Sequence, residues 1–116
     1  MAKPTTPAYN SGAMQNDAPL KMAHACVSMP ELRETIDMLD ARMVALLAVR
    51  QTYIERAAEL KTGRDQVRDP ARIEHLVAKV IDEGRKVGLS PDIAEPVWRA
   101  LIEASISHEF KAFDKR

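Results

Sequence analysis

Cysteine occurs once in the 116 residues and glycine four times, and aromatic side chains make up only 4% of the chain. A lone Cys26 cannot close an internal disulfide, so no disulfide framework is available; a reducing compartment, the cytoplasm, is the expected home. There is no excess of either charge, since 17 basic side chains face 17 acidic ones. That balance argues against nucleic-acid binding, although local basic clusters could still serve a small anion. No apolar run approaches the roughly 18 residues of a membrane span, so no membrane partner is expected. His24, His75 and His108 lack metal-ligand spacing, and no metal is expected. Residues 1–28 mix Pro, Ser, Thr, Asn and Ala without the charged start and apolar core of a secretory signal, and they read as a flexible N-terminal extension.

Strand-like alternation is also missing, and helical periodicity fills the space it leaves. From Leu32 an apolar seam steps by four and three through Ile36, Leu39, Met43, Leu46, Arg50, Tyr53, Ala57 and Leu60. Such a stripe faces a partner helix. Ser28 with Glu31 forms a capping-box pattern, Pro30 is tolerable in a first turn, and Gly63 offers a stop, which predicts a helix from about Met29 to Thr62. Asp69 before Pro70 opens a second helix, with Ile73, Leu76, Val77, Val80 and Ile81 on its apolar face, ending at Gly88. Ser90 and Pro91 open a third, with Val97, Trp98, Leu101, Ile102, Ser105, Ile106, Glu109, Phe110 and Phe113 on or beside one face. Pro96 should disturb its second turn. The fold class is all-α, with one very long helix and two shorter ones. A first helix roughly 50 Å long cannot be covered by so small a chain. An intertwined homodimer over residues 29–116 is therefore expected.

Several polar residues interrupt these apolar faces. Arg50 stands in the seam, and a guanidinium that cannot be discharged calls for an anion, either another side chain or a ligand. Lys61 follows eleven residues later, rotated by only about 20° and about 16 Å along the axis, so the two can converge on one small molecule. Arg33 lies roughly 25 Å from Arg50 and about 100° around the helix, too far to share that ligand within one chain. In an antiparallel dimer the partner's copy could supply it. Asp69 and Arg72 read as a cap with a surface ion pair or as site residues. Ser105 and Glu109, four apart, share the face of Trp98, Leu101 and Ile102, where a carboxylate needs a partner or a proton.

Taken together, L-R-E-T-I-D-x-L-D at 32–40, L-L-A-V-R at 46–50, Lys61, V-R-D-P-A-R at 67–72 and I-E-A-S-I-S-H-E at 102–109 resemble the all-helical chorismate mutases. The resemblance covers about residues 29–113. It implies a homodimer with shared active sites that rearranges chorismate, a small dianion, to prephenate in the shikimate pathway to phenylalanine and tyrosine, with no cofactor. By resemblance, Arg33 from the partner subunit and Arg50 bind carboxylates, and Lys61 hydrogen-bonds the ether oxygen. Asp69 holds the ring hydroxyl, Arg72 and Ser105 support the pocket, and Glu109 is the second ether-oxygen donor.

Two positions depart from the family pattern. Ile73 stands where the family often has a hydroxyl-binding glutamate, and Glu109 stands where many members have glutamine. An ionised carboxylate only accepts hydrogen bonds, so Glu109 can donate only while protonated, which predicts better activity in mild acid than in alkali. The residues Y-I-E-R-A-A-E-L-K at 53–61 and D-P-A-R-I at 69–73 also look similar to isochorismate pyruvate lyases of salicylate and siderophore synthesis. A rival of another class is a non-catalytic dimerising module, which would explain the heptads and Asp69 as structure.

Overall fold

A computed structural model describes residues 18–116. Three α-helices dominate: α1 over Met29–Leu60, α2 over Pro70–Lys86 and α3 over Pro91–Asp114. Short 3-10 turns at Ala23–Ala25 and Arg64–Gln66 complete the order, and there is no strand among the described residues. The chain divides into two compact units, Met1–Tyr53 and Ile54–Arg116, with the division falling inside α1. The N-terminal extension is described only from residue 18 onward, and the reading of residues 1–17 lies outside the described residues.

In the first unit the Ser28 cap forms half of its expected box. The Glu31 amide donates to Ser28 Oγ at 3.3 Å, and the Leu32 amide donates to the Ser28 carbonyl at 3.0 Å. The Glu31 carboxylate does not return to Ser28. It accepts from the Val27 amide at 2.8 Å and pairs with the Lys21 ammonium. Arg42 donates to the Ala18 carbonyl, so residues 18–28 are tied to α1 at two points, one at its first turn and one more than two turns on. The seam itself stays bare: Ile36, Leu39, Met43 and Leu46 are each about half exposed, between 46% and 53%. In water such a stripe is a standing free-energy cost.

In the second unit α2 and α3 pack on one another around Val67, Val77, Ile102 and Ile106. Ile73, Leu76, Ile81, Trp98, Phe110 and Phe113 close over that cluster. Val97, expected on the same face, is exposed instead. The caps are as local as their sequence signals. Asp69 accepts from the Arg72 amide at 3.1 Å, and Ser90 accepts from the Asp92 amide at 3.1 Å. Gly88 takes φ +85°, the left-handed conformation open to a residue without Cβ. The Leu89 amide then reaches the Gly84 carbonyl at 2.8 Å and the Gly88 amide the Arg85 carbonyl at 3.3 Å, the double closure of a Schellman motif. Pro96 does not break α3, which runs continuously from Pro91 to Asp114. So close to the helix start, the missing N–H leaves only the Asp92 carbonyl without its donor.

Three arginine clusters pin α3 to the segments around it. Arg68 grips Glu103 with two bonds of 3.0 and 2.8 Å. Arg99 grips Glu74 with two of 3.0 and 2.9 Å and also reaches Glu95 at 2.9 Å. These guanidiniums hold the Glu74 and Glu103 carboxyls below their ordinary value. Arg64 pairs with Asp114 at 3.0 Å.

Candidate active site

Of the expected site residues, Lys61 and Glu109 are the two brought into direct contact. Lys61 is the first residue past α1, its amide still bonded to the Ala57 carbonyl at 3.0 Å, so its side chain leaves from a backbone held by the helix end. Glu109 lies on α3 one turn beyond Ser105 and next along the face from Ile102 and Ile106, which belong to the core. That position buries it: it is the one charged residue among the buried side chains described, with 5% exposure. Lys61 Nζ stands 2.6 Å from Glu109 Oε2.

The contact is an ion pair, and the buried Oε2 has no hydrogen-bond donor besides that ammonium. A buried carboxylate oxygen left in that state is costly in a purely structural setting. Its chemistry suits a third group that both side chains could meet.

The other expected residues of the second unit stand in three different conditions. Ser105 is half-buried and engaged in an interaction of its own. Asp69 is exposed, and its Oδ1 accepts the cap bond of α2 from the Arg72 amide; of the alternative reading as a cap with a surface ion pair, only the cap is seen. The Arg72 guanidinium is exposed and makes no salt bridge among the described residues. Ile73 has a plain structural cause. It is partly buried and packs against the α2–α3 core, a contact an apolar side chain makes at no desolvation cost.

Arg33 and Arg50 belong to the first unit. Arg50 is half-buried and engaged, and burial pushes its guanidinium down from its ordinary value, as expected for a charge in an apolar seam. Arg33 is exposed beside Glu34 and Asp37, at a shallow hollow of about 760 Å³ at the start of α1. Among the described residues no cluster of histidine, cysteine and carboxylate could hold a metal. No helix among them is long and apolar enough to cross a membrane.

Some contacts were not legible beforehand. His108 Nε2 meets Glu55 Oε2 at 2.6 Å, and Arg116 donates to the carbonyls of Ala58 and Lys61 at 3.0 and 2.6 Å. Their partners lie more than fifty residues away, so no local spacing signals them.

Within an all-helical chain, the fold thus brings together a lysine at the end of α1 and a buried acid on α3. The chain belongs to the chorismate mutase type II family, whose model matches residues 32–110. It is 29% identical over 84 residues to the bifunctional chorismate mutase/prephenate dehydratase of Buchnera aphidicola, a match spanning 72% of this chain and 22% of that protein. It is 23% identical over 92 residues to the isochorismate pyruvate lyase of Pseudomonas aeruginosa, spanning 79% of this chain and 91% of that protein. No solved structure matches it significantly. The findings support a chorismate mutase or a near relative such as an isochorismate pyruvate lyase.

Proposed function

We propose that residues 29–116 form a chorismate mutase domain that rearranges chorismate to prephenate, and that Lys61 and Glu109 act at its ether oxygen. The observation that carries this reading is the buried Glu109 Oε2, 2.6 Å from Lys61 Nζ and without another hydrogen-bond donor. The rearrangement breaks a carbon–oxygen bond and forms a carbon–carbon bond in one step. It needs no nucleophile; it needs the two ends of the substrate held in a folded geometry and charge on the departing oxygen stabilised. The Lys61 ammonium suits that oxygen. Once protonated, Glu109 becomes a second donor and releases Lys61 from the ion pair.

The remaining assignments follow the family resemblance. Arg50, and Arg33 from a second copy, bind the substrate carboxylates, for which planar guanidinium forks are fitted. Asp69, Arg72 and Ser105 line the pocket, with Asp69 answering the ring hydroxyl through the oxygen its cap bond leaves over. The second copy is a homodimer partner, and the half-exposed Ile36, Leu39, Met43 and Leu46 support it.

Isochorismate pyruvate lyase is the second reading, favoured by Ile73 and by a match spanning 91% of the Pseudomonas lyase. Incubating the pure protein separately with chorismate and isochorismate decides between them. Prephenate from chorismate supports the mutase, salicylate plus pyruvate from isochorismate supports the lyase, and turnover of neither favours a non-catalytic dimerising module.

A further inference from the structure

We propose that Arg116 is a positioning residue for Lys61, acting through the backbone at the end of α1. Helix α1 stops with its last carbonyls lacking successors. In a continued helix the Thr62 amide would serve the Ala58 carbonyl, but Thr62 donates to Gln66 Oε1 at 2.8 Å. Ala58 has no exposed surface at all, so water cannot take over. Arg116 does: its Nη1 donates to the Ala58 carbonyl at 3.0 Å and to the Lys61 carbonyl at 2.6 Å. One cation therefore closes the helix end and grips the residue whose side chain meets Glu109.

The grip is itself held from α3. The Arg116 guanidinium stacks on Phe113, 3.8 Å from the ring centroid, and the Arg116 amide bonds to the Phe113 carbonyl at 3.2 Å. Phe113 packs against the core on the helix that carries Glu109. A second arginine fastens the same two segments: Arg64, just past Lys61, pairs with Asp114 at 3.0 Å and stacks over Phe110 at 4.3 Å. Lys61 and Glu109 thus come from segments joined independently of their own ion pair. Their separation is set by the clamp as much as by their attraction, and Arg116 is the part of the clamp that touches the Lys61 backbone.

The catalytic consequence rests on Lys61 being the ether-oxygen donor; the structural one does not. The test compares wild type, Arg116→Ala and Arg116→Lys in steady-state turnover of whichever substrate the protein accepts, in thermal melting, and in hydrogen exchange of the amides from Ala58 to Gly63. For Arg116→Ala we expect kcat lower by about tenfold to a hundredfold with KM within about twofold, because a contact made in the transition state is misplaced. Exchange should accelerate at the end of α1 while the α2 and α3 amides keep wild-type rates. Arg116→Lys, which keeps a cation able to reach both carbonyls, should recover most of both effects. Unchanged kcat in Arg116→Ala, or exchange that rises equally throughout α2 and α3, would overturn the proposal. If wild type turns over neither substrate, the functional reading fails while the exchange comparison still decides the clamp.

Discussion

Glu109 shows what one side chain can decide. As a carboxylate it can only accept, while the ether-oxygen role asks it to donate, so a neutral donor at this position should serve chorismate turnover at least as well. Glu109→Gln, which carries a permanent N–H donor, should keep or raise kcat/KM for chorismate; a loss as large as that of Glu109→Ala would refute the role. Lys61→Ala should lower kcat by about a hundredfold or more, since a charged donor aimed at developing negative charge contributes on that scale. Arg50→Ala should damage kcat/KM far more than melting temperature, and near-normal catalysis in that variant would make the seam arginine structural. Asp69 separates two roles within one residue. Asp69→Asn preserves the α2 cap, whereas Asp69→Ala should cost about 1 kcal/mol of stability, read from urea unfolding. A loss of turnover in the stable Asn variant would isolate the hydroxyl-binding role.

Helices carry their own grammar, and most of it was legible. Asp69-Pro70 and Ser90-Pro91 cap where they should because a cap is a contact across two or three residues, and Gly88 ends α2 because only its own φ of +85° had to be accommodated. Gly88→Ala should cost about 1 kcal/mol through backbone strain alone, since a Cβ there would meet nothing within 4 Å. Equal unfolding midpoints for the two proteins would contradict this. The Glu31 carboxylate escaped prediction because a better partner, Lys21, arrives from ten residues upstream. Pro96 was expected to disturb α3 and does not, because one missing donor near a helix start is tolerable. The Lys61 and Glu109 pairing was suggested by family resemblance, whereas helical periodicity alone indicated only that Glu109 would face inward. The arginine clamps were invisible: Arg68 to Glu103 and Arg116 to Lys61 span 35 and 55 residues, and nothing local distinguishes these arginines from solvated ones.

At the scale of the molecule, acidity should act through the ion pairs between helices. The folded Glu74 and Glu103 carboxyls lie below their ordinary value of 4.5, so their contribution is complete above that value and is lost as pH falls through the lower, folded values. Urea midpoints should hold from pH 7 to 5 and drop below 4.5, and a Glu74→Gln, Glu103→Gln double variant should drop less steeply. The bare α1 seam predicts that melting temperature rises with protein concentration, as for a dimer in which folding and association are linked. The Lys61 and Glu109 pair, its carboxylate buried and its ammonium partly exposed, has the opposite tendency. A buried carboxylate held by a single cation weakens a fold relative to well-packed hydrocarbon, so a Lys61→Met, Glu109→Leu variant should be inactive and more stable by about 1 kcal/mol. A laboratory selection for heat resistance alone, blind to turnover, would therefore tend to erase the pair, and its retention under such selection coupled to growth would reveal that the cell uses it.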